Sequence, residues 1–143
     1  MPRKTFRRLL FSFAVMAFTA QAQSPGAAVI EQIRGHQTGL AVWWVGNSGW
    51  LIKSGGLLIG TDLDLESRNR LERPPVSSEE IAPLLDVAFV THHHGDHFNA
   101  PTLKVLAAKG RCLFVLPKTC LKRAAEAGIP SDRIVVPTPL QPF

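Results

Sequence analysis

The chain has 143 residues, which is enough for one domain. Its formal net charge is +5, from 16 lysines and arginines against 11 aspartates and glutamates. Four of the basic residues and none of the acidic ones lie in the first 22 positions, so the rest of the chain has 12 basic and 11 acidic residues, a net charge of +1. The positive net charge belongs largely to those first 22 residues and is not evidence for nucleic-acid binding, so we expect no nucleic-acid partner.

The first 22 residues have the layout of a secretory signal peptide. An apolar run from Leu9 to Phe18 is followed by Ala20-Gln21-Ala22, a small-residue cleavage site. The basic region before the run contains Arg3, Lys4, Arg7 and Arg8. We predict cleavage after Ala22 and a periplasmic or secreted protein, exported by the general route or, given Arg7-Arg8, by the twin-arginine route. The run is shorter than the ~20 residues that span a bilayer, so we expect no stable membrane anchor. The alternatives to a signal peptide are an N-terminal membrane anchor and a buried helix.

Antiparallel strands are predicted to come first. Residues 23–39 are expected to form a linker and a short helix. Apolar and β-branched residues at 40–46 and 49–54 flank Asn47-Ser48-Gly49 and predict a hairpin. Gly55-Gly56 predicts a tight turn into a third strand at 57–62, and the charged segment 64–76 predicts a surface loop.

Strands and helices alternate in the rest of the chain. Ser77 and Glu80 have capping-box spacing and predict a helix to about Leu84. Strands are predicted at 86–91, 112–117 and 133–137, with helices at 100–110 and from about 118 to Gly128. The order predicts an α/β fold with helices on at least one face of the sheet. Ligands of such sheets gather at the carboxyl ends of the strands.

The two cysteines are predicted to remain unpaired. Cys112 is placed near the start of a strand, and Cys120 in the helical turn past its far end. Successive strand residues are ~3.3 Å apart, whereas the Cα atoms of a disulfide lie within ~7 Å of each other. We therefore expect two free, partly buried thiols even in an oxidising compartment.

Four of the five histidines stand in "THHHGDH", directly after the strand predicted at 86–91. In an extended segment His92, His94 and Asp96 would share one side, and Gly95 would let the chain turn so that His97 joins them. Two neutral imidazoles together suit Zn, Mn or Fe, and an imidazole beside a carboxylate makes a second half-site. Two adjacent ions can activate water and stabilise the oxyanion of ester or phosphoester cleavage.

Two histidines are not expected to bind metal. His93 alternates to the other side of an extended segment, and His36 lies in the N-terminal segment, where a solvated side chain is expected. The four neighbouring imidazoles would be costly to pack unless something binds them, which favours a metal site over a structural role.

The motif "THHHGDH" resembles the His-x-His-x-Asp-His signature of the metallo-β-lactamase fold superfamily. Upstream, "VWWVGNSGWLIKSGGLLIGTD" resembles the opening hairpin of the branch that contains L-ascorbate-6-phosphate lactonase and N-acyl-phosphatidylethanolamine phospholipase D. The resemblance covers roughly residues 40–137. It implies that residues 40–143 form the N-terminal half of an αββα sandwich, a mixed sheet with helices on its outer face, whose second half is absent.

The resemblance also implies a role for each site residue. His92 and His94 would hold the first metal, and Asp96 and His97 the second. The ions would be Zn²⁺ or Mn²⁺, up to two in the intact fold. Asp96 would also be the catalytic proton acceptor. Asp62, at the end of the third strand, would hold the ligands in orientation without binding the metal itself. The alternative for Asp62 is a simple turn residue.

The sequence departs from the family pattern at two places. Asn47 stands where relatives often have histidine, and we assign it no role. The ligands that the family takes from the second half of its fold are missing, because no histidine follows His97 and the only later acidic residues are Glu126 and Asp132. Asp132 precedes the last strand and should lie at the far end of the sheet.

These features predict an exported metal-dependent hydrolase, in truncated or partial form, that cleaves a small-molecule lactone, ester or phosphoester by metal-bound hydroxide. The alternative from another class is a non-catalytic metal-binding module. A nuclease of the same superfamily is disfavoured by the export signal and the near-neutral charge. The uncovered face of the sheet is expected to promote self-association.

Overall fold

A computed structural model describes residues 25–68 and 70–141 of the chain. The predicted signal peptide and its cleavage point lie outside the described residues. Within those residues, no helix combines the length and the apolar character needed to cross a membrane.

A six-stranded mixed sheet forms the centre of the fold, with its strands in chain order. The first two pairings are antiparallel and the last three are parallel. The strands are β1 (Leu40–Gly46), β2 (Gly49–Ser54), β3 (Leu57–Thr61), β4 (Val87–Phe89), β5 (Leu113–Val115) and β6 (Ile134–Val135). The predicted α/β architecture, antiparallel strands first, is confirmed.

Helices occupy the connections and precede the first strand. They are α1 (Pro25–Gly35), α2 (Ser78–Ile81), α3 (Ala100–Lys109) and α4 (Leu121–Glu126), with short 3₁₀ turns at Lys118–Cys120 and Ser131–Arg133. The 3₁₀ turn that holds Asp132 precedes β6, at the amino end of the parallel strands, as predicted.

Local hydrogen bonds fix the starts of α2 and α3. Ser77 forms the predicted capping box: its hydroxyl accepts from the Glu80 amide at 3.2 Å, and the Glu80 carboxylate accepts from the Ser77 amide at 2.8 Å. Asn99 caps α3 by accepting from the Thr102 amide at 2.9 Å. The cap at Asn99 sets the point at which the histidine-rich segment ends and α3 begins.

The two faces of the sheet differ in what covers them. The face that carries Leu51, Leu58, Ala88 and Phe114 packs into one core with apolar side chains from all four helices. The opposite face carries large apolar side chains that remain exposed: Leu40, Val42, Trp44, Trp50, Leu57 and Leu113. The helices therefore cover one side of the sheet, and the other side presents apolar surface.

Both cysteines are free and buried, as predicted. Burial raises the pKa of the Cys112 thiol, although the neighbouring Arg133 guanidinium opposes the shift. Burial also raises the pKa of the Cys120 thiol. Both groups are therefore weak nucleophiles at neutral pH.

His36 is not the solvated side chain that we predicted. It is half-buried, and its ring packs edge-on against Trp43 with 6.3 Å between the ring centroids. Among the described residues, its Nε2 is buried without a hydrogen-bond partner. The hairpin brings Trp43 against the end of α1, a contact that the local sequence around His36 does not specify.

Candidate metal centre

The candidate site lies at the carboxyl ends of β3 and β4. These strands are parallel neighbours, so the residues that follow them meet at one edge of the sheet. Asp62 directly follows β3, and its amide donates to the Phe89 carbonyl at 2.9 Å. The histidine loop, residues 92–97, follows β4 by two residues. The fold therefore brings the predicted carboxylate and the predicted ligands together.

The histidine loop is not an extended continuation of β4. Residues 92–94 form a bend and residues 95–97 a turn, which closes where the His97 and Phe98 amides donate to the His94 carbonyl at 3.1 and 2.6 Å. The strand alternation that we used to group the ligands is therefore the wrong reason for their proximity. The chain does turn at Gly95, but the turn does not require glycine, because the φ of Gly95 is not positive and a Cβ there would meet nothing within 4 Å.

His92 and His94 form the first donor pair. Nε2 of His92 lies 3.1 Å from Nδ1 of His94, and the ring centroids are 4.7 Å apart. Two nitrogens bound to one tetrahedral zinc at 2.0–2.1 Å would be about 3.3 Å apart. The observed separation suits either a shared cation or one N–H hydrogen bond between the rings.

Asp62 is the buried anion behind the loop. It is 5% exposed, and its Oδ1 accepts from the Thr91 amide at 2.8 Å. Its Oδ2 accepts from the Thr91 hydroxyl at 2.8 Å and faces His97 Nδ1 at 2.9 Å. The backbone of Asp62 has φ 46, in the left-handed region that Asp and Asn tolerate better than most residues.

The bonds to Asp62 select the tautomers of two histidines. A carboxylate only accepts, so a neutral His97 donates from Nδ1 and carries its lone pair on Nε2. The Thr91 hydroxyl gives its one proton to Asp62, and Thr91 Oγ1 can then accept from His92 Nδ1, 3.1 Å away. Nε2 of His92 and of His97 is thus available to a cation. Thr91 was not among the predicted residues, because its role depends on the placement of Asp62 beside it.

His97 and Asp96 form the second donor pair. His97 Nε2 lies 3.6 Å from Asp96 Oδ2. The Asp96 side chain is 64% exposed, while that of His97 is 22% exposed. The loop also contacts the first hairpin, since the Ser48 hydroxyl donates to the Asp96 carbonyl at 3.4 Å.

His93 lies at the exposed side of the loop. Its ring centroid is 4.8 Å from that of His94 and 6.4 Å from that of His92, in edge-to-face arrangements. Its ring therefore lies beside the first donor pair, and its exclusion from the ligands stays a prediction.

A second buried carboxylate lies beside the site and was missed. Asp64 is 2% exposed; it accepts from Asn47 Nδ2 at 2.6 Å and from Asn99 Nδ2 at 2.7 Å. Asn47, to which we assigned no role, therefore joins the hairpin to the segment after β3. The motif Asp62-Leu63-Asp64 was a signal for this pair, because it places two carboxylates directly after a strand.

The atoms of each donor pair are of types that bind metal ions. Imidazole nitrogens and a carboxylate suit Zn²⁺ or Mn²⁺, and the hydrogen bond from His97 to Asp62 is of the kind that metal-binding histidines usually make. Within residues 25–68 and 70–141, however, no group of three or more His, Cys, Asp or Glu side chains is placed to hold a metal ion. Each pair therefore offers fewer than the three protein ligands that a catalytic zinc site normally has.

Comparison with known proteins gives relatives without an assigned function. No protein-family profile matches the chain. An uncharacterized protein of Mycobacterium tuberculosis and one of Mycobacterium bovis are each 32% identical to this chain over 111 residues. The match covers 71% of this chain and 30% of each relative, so the chain spans about a third of the length of the curated relatives it matches.

Proposed function

We propose that this chain is the metal-binding half of an exported metal-dependent hydrolase that cleaves a lactone, ester or phosphoester. The observation that carries the proposal is the pairing of two imidazole-based donor sets over one buried carboxylate. His92 with His94 and His97 with Asp96 lie on one loop, and Asp62 fixes the tautomer of His97 directly and that of His92 through Thr91. Because Nδ1 of each ring faces Thr91 or Asp62, Nε2 of a neutral His92 and of a neutral His97 is left for a cation.

We further propose that the sheet is the N-terminal half of a metallo-β-lactamase αββα sandwich. The likeness of "THHHGDH" to that superfamily's signature supports the assignment. The apolar face with Trp44 and Trp50 exposed also supports it, because soluble proteins rarely leave so continuous an apolar surface uncovered. The greater length of the mycobacterial relatives leaves room for a second half.

Zn²⁺ or Mn²⁺, when bound, would supply Lewis acidity and lower the pKa of water at the site. The residues of the chain would supply the rest. His92 and His94 would offer Nε2 and Nδ1 to one ion, and His97 and Asp96 would offer Nε2 and Oδ2 to the other. Asp62 would keep the rings in place, and the exposed Asp96 carboxylate could accept a proton from the attacking water.

A non-catalytic metal-binding module is the second candidate. It is favoured by one observation: the described residues hold donor pairs but no group of three ligands. Such a module would bind a single ion weakly and would show no turnover. The two candidates differ in activity and share the prediction that the histidine loop binds metal.

The proposal is tested by comparing His94→Ala with His93→Ala in the full chain. Zinc content and affinity are measured by elemental analysis after gel filtration and by competition with a chromogenic chelator. His94→Ala should weaken zinc binding at least ~10-fold, whereas His93→Ala should change it by less than about twofold. Equal losses would show that the ligands are wrongly assigned, and a wild-type chain that binds no zinc would refute the metal site. Fluorogenic ester, lactone and phosphodiester substrates then separate the hydrolase from the binding module when the chain is fused to the remaining length of a relative, because this fusion should show turnover only if the hydrolase proposal is right.

A further inference from the structure

Arg123, on α4, contacts the histidine loop from the helix side of the fold. Its Nη1 donates to the His93 carbonyl, and its Nη2 donates to the Phe98 carbonyl at 3.4 Å. The guanidinium carbon also lies 4.7 Å from the centroid of the fully buried Phe98 ring. One side chain therefore contacts the backbone on both sides of the segment 94–97.

The placement of these contacts matters because the proposed ligands His94, Asp96 and His97 lie between the two carbonyls. The turn has its own closing bonds to the His94 carbonyl, and Ser48 contacts it from the hairpin. Neither of these ties the loop to the helical layer. Arg123 ties the loop to this layer, because its planar guanidinium holds its two donors at a fixed separation.

We propose that Arg123 is a positioning residue for the metal centre: it holds the loop backbone so that the two donor pairs keep their spacing. This inference rests on the proposed function, because it concerns the ligands of that site. Among the described residues, Arg123 makes no hydrogen bond or ion pair to a ring nitrogen or carboxylate of the proposed ligands, so it would act through the backbone to which they are attached.

Charge and anchoring predict opposite results at this position. A guanidinium beside a cation site disfavours the cation by repulsion, so removing its charge should tighten metal binding if electrostatics dominate. Removing an anchor should weaken binding, because the ligands must then be ordered when the metal arrives. The sign of the change in affinity therefore distinguishes the two effects.

The test compares Arg123→Met and Arg123→Lys with Lys122→Met, an exposed neighbour on the same helix. Methionine keeps a long apolar side chain over Phe98 but has no hydrogen-bond donors. Lysine keeps the positive charge but lacks the planar pair of guanidinium donors. Zinc affinity is measured on the full chain by chelator competition, and the ligand geometry by the visible absorption of the Co²⁺-substituted protein. We expect both Arg123 variants to bind zinc about 10-fold more weakly with an altered Co²⁺ spectrum, and Lys122→Met to match the wild type within about twofold.

The outcomes separate this inference from the proposed function. Wild-type chain that binds no zinc would overturn both. Wild-type binding with unchanged or tighter binding in Arg123→Met would overturn the positioning role alone. Lower thermal stability with unchanged affinity and spectrum would reduce Arg123 to a packing residue and would also overturn it. If Arg123→Met does not fold, Arg123→Lys decides, since a single ammonium cannot reproduce two anchored carbonyls.

Discussion

Asp62→Asn is the substitution that tests the candidate site most directly. Asn has nearly the shape of Asp and also tolerates a positive φ, so the backbone at φ 46 should not resist it. The change removes the buried negative charge and replaces one acceptor oxygen by a donor NH₂ group. An alanine at this position would add backbone strain, and its effect would be harder to interpret.

The amide cannot satisfy every partner of the carboxylate. With its NH₂ group at the Oδ1 position, it opposes the Thr91 amide, which is also a donor. With its NH₂ group at the Oδ2 position, it faces the Thr91 hydroxyl and His97 Nδ1. The second orientation is satisfied only if His97 changes tautomer, which places a proton on Nε2 and removes that nitrogen from the second donor pair.

The magnitudes follow from these losses. A hydrogen bond to a buried charged group contributes roughly 1.5–3 kcal/mol, so we expect Asp62→Asn to lower the free energy of unfolding by about 2–3 kcal/mol. Loss of the outer support of metal ligands typically weakens binding by about 10- to 100-fold. The first quantity is measured by urea denaturation of the metal-free chain, and the second by chelator competition for zinc.

Asp64→Asn is the matched control. Asp64 is equally buried and accepts two side-chain hydrogen bonds, but these come from Asn47 and Asn99 and not from the histidine loop. Asp64→Asn should lower the free energy of unfolding about as much as Asp62→Asn does, and its zinc affinity should stay within about twofold of the wild type. Equal zinc affinities for wild type and Asp62→Asn, or equal losses for the two variants, would refute the tautomer argument.

Three further predictions concern other parts of the chain. Gly95→Ala should fold and bind zinc like the wild type. Gly46→Ala should be destabilised by more than about 1 kcal/mol, because Gly46 has φ 96 and a Cβ there would overlap the Arg70 guanidinium. Urea denaturation of both variants measures this difference, and a destabilised Gly95→Ala would contradict the prediction. Cys112 and Cys120 should resist iodoacetamide in the native state and react in urea, as followed by mass spectrometry. Because burial raises both pKa values, the contribution of the two thiols to stability should be constant below about pH 8.5 and fall above it; rapid native alkylation would contradict the burial argument. The exported protein should begin at Gln23, as measured by intact mass, and should self-associate through the apolar sheet face, as measured by light scattering. In fluorogenic assays it should show no hydrolysis above the metal-ion background. A monomer that holds two metals and turns over a substrate would disprove the half-site interpretation.

Features that depend on neighbouring residues were predictable from the sequence. The capping box at Ser77 and the strand order follow from local spacing and from chain order. The position of Asp62 at a strand end was predictable for the same reason, since parallel strands bring their carboxyl ends together.

Features that depend on distant partners were not predictable. The tautomer relay through Thr91 requires knowing that β3 and β4 are neighbours in register. Likewise, the burial of His36 requires the contact with Trp43. The grouping of the histidines was predicted for the wrong reason, because a run after a strand need not stay extended: here the His94 carbonyl accepts two amides and closes a turn.

The order of the strands also bears on how the chain folds. Every strand pairs with its neighbour in sequence, and the β1–β2 and β2–β3 ladders are closed by short turns, so these contacts are local and should form early. The β3–β4 pairing must instead close the segment 62–86, the longer connection, at a greater entropic cost. The Thr91 bonds to Asp62 span that same connection, so they can form only when it closes. The contacts between Asp62 and the histidine loop should therefore form in the same kinetic step as the β3–β4 pairing, and a substitution that slows this closure should delay metal uptake by the same factor.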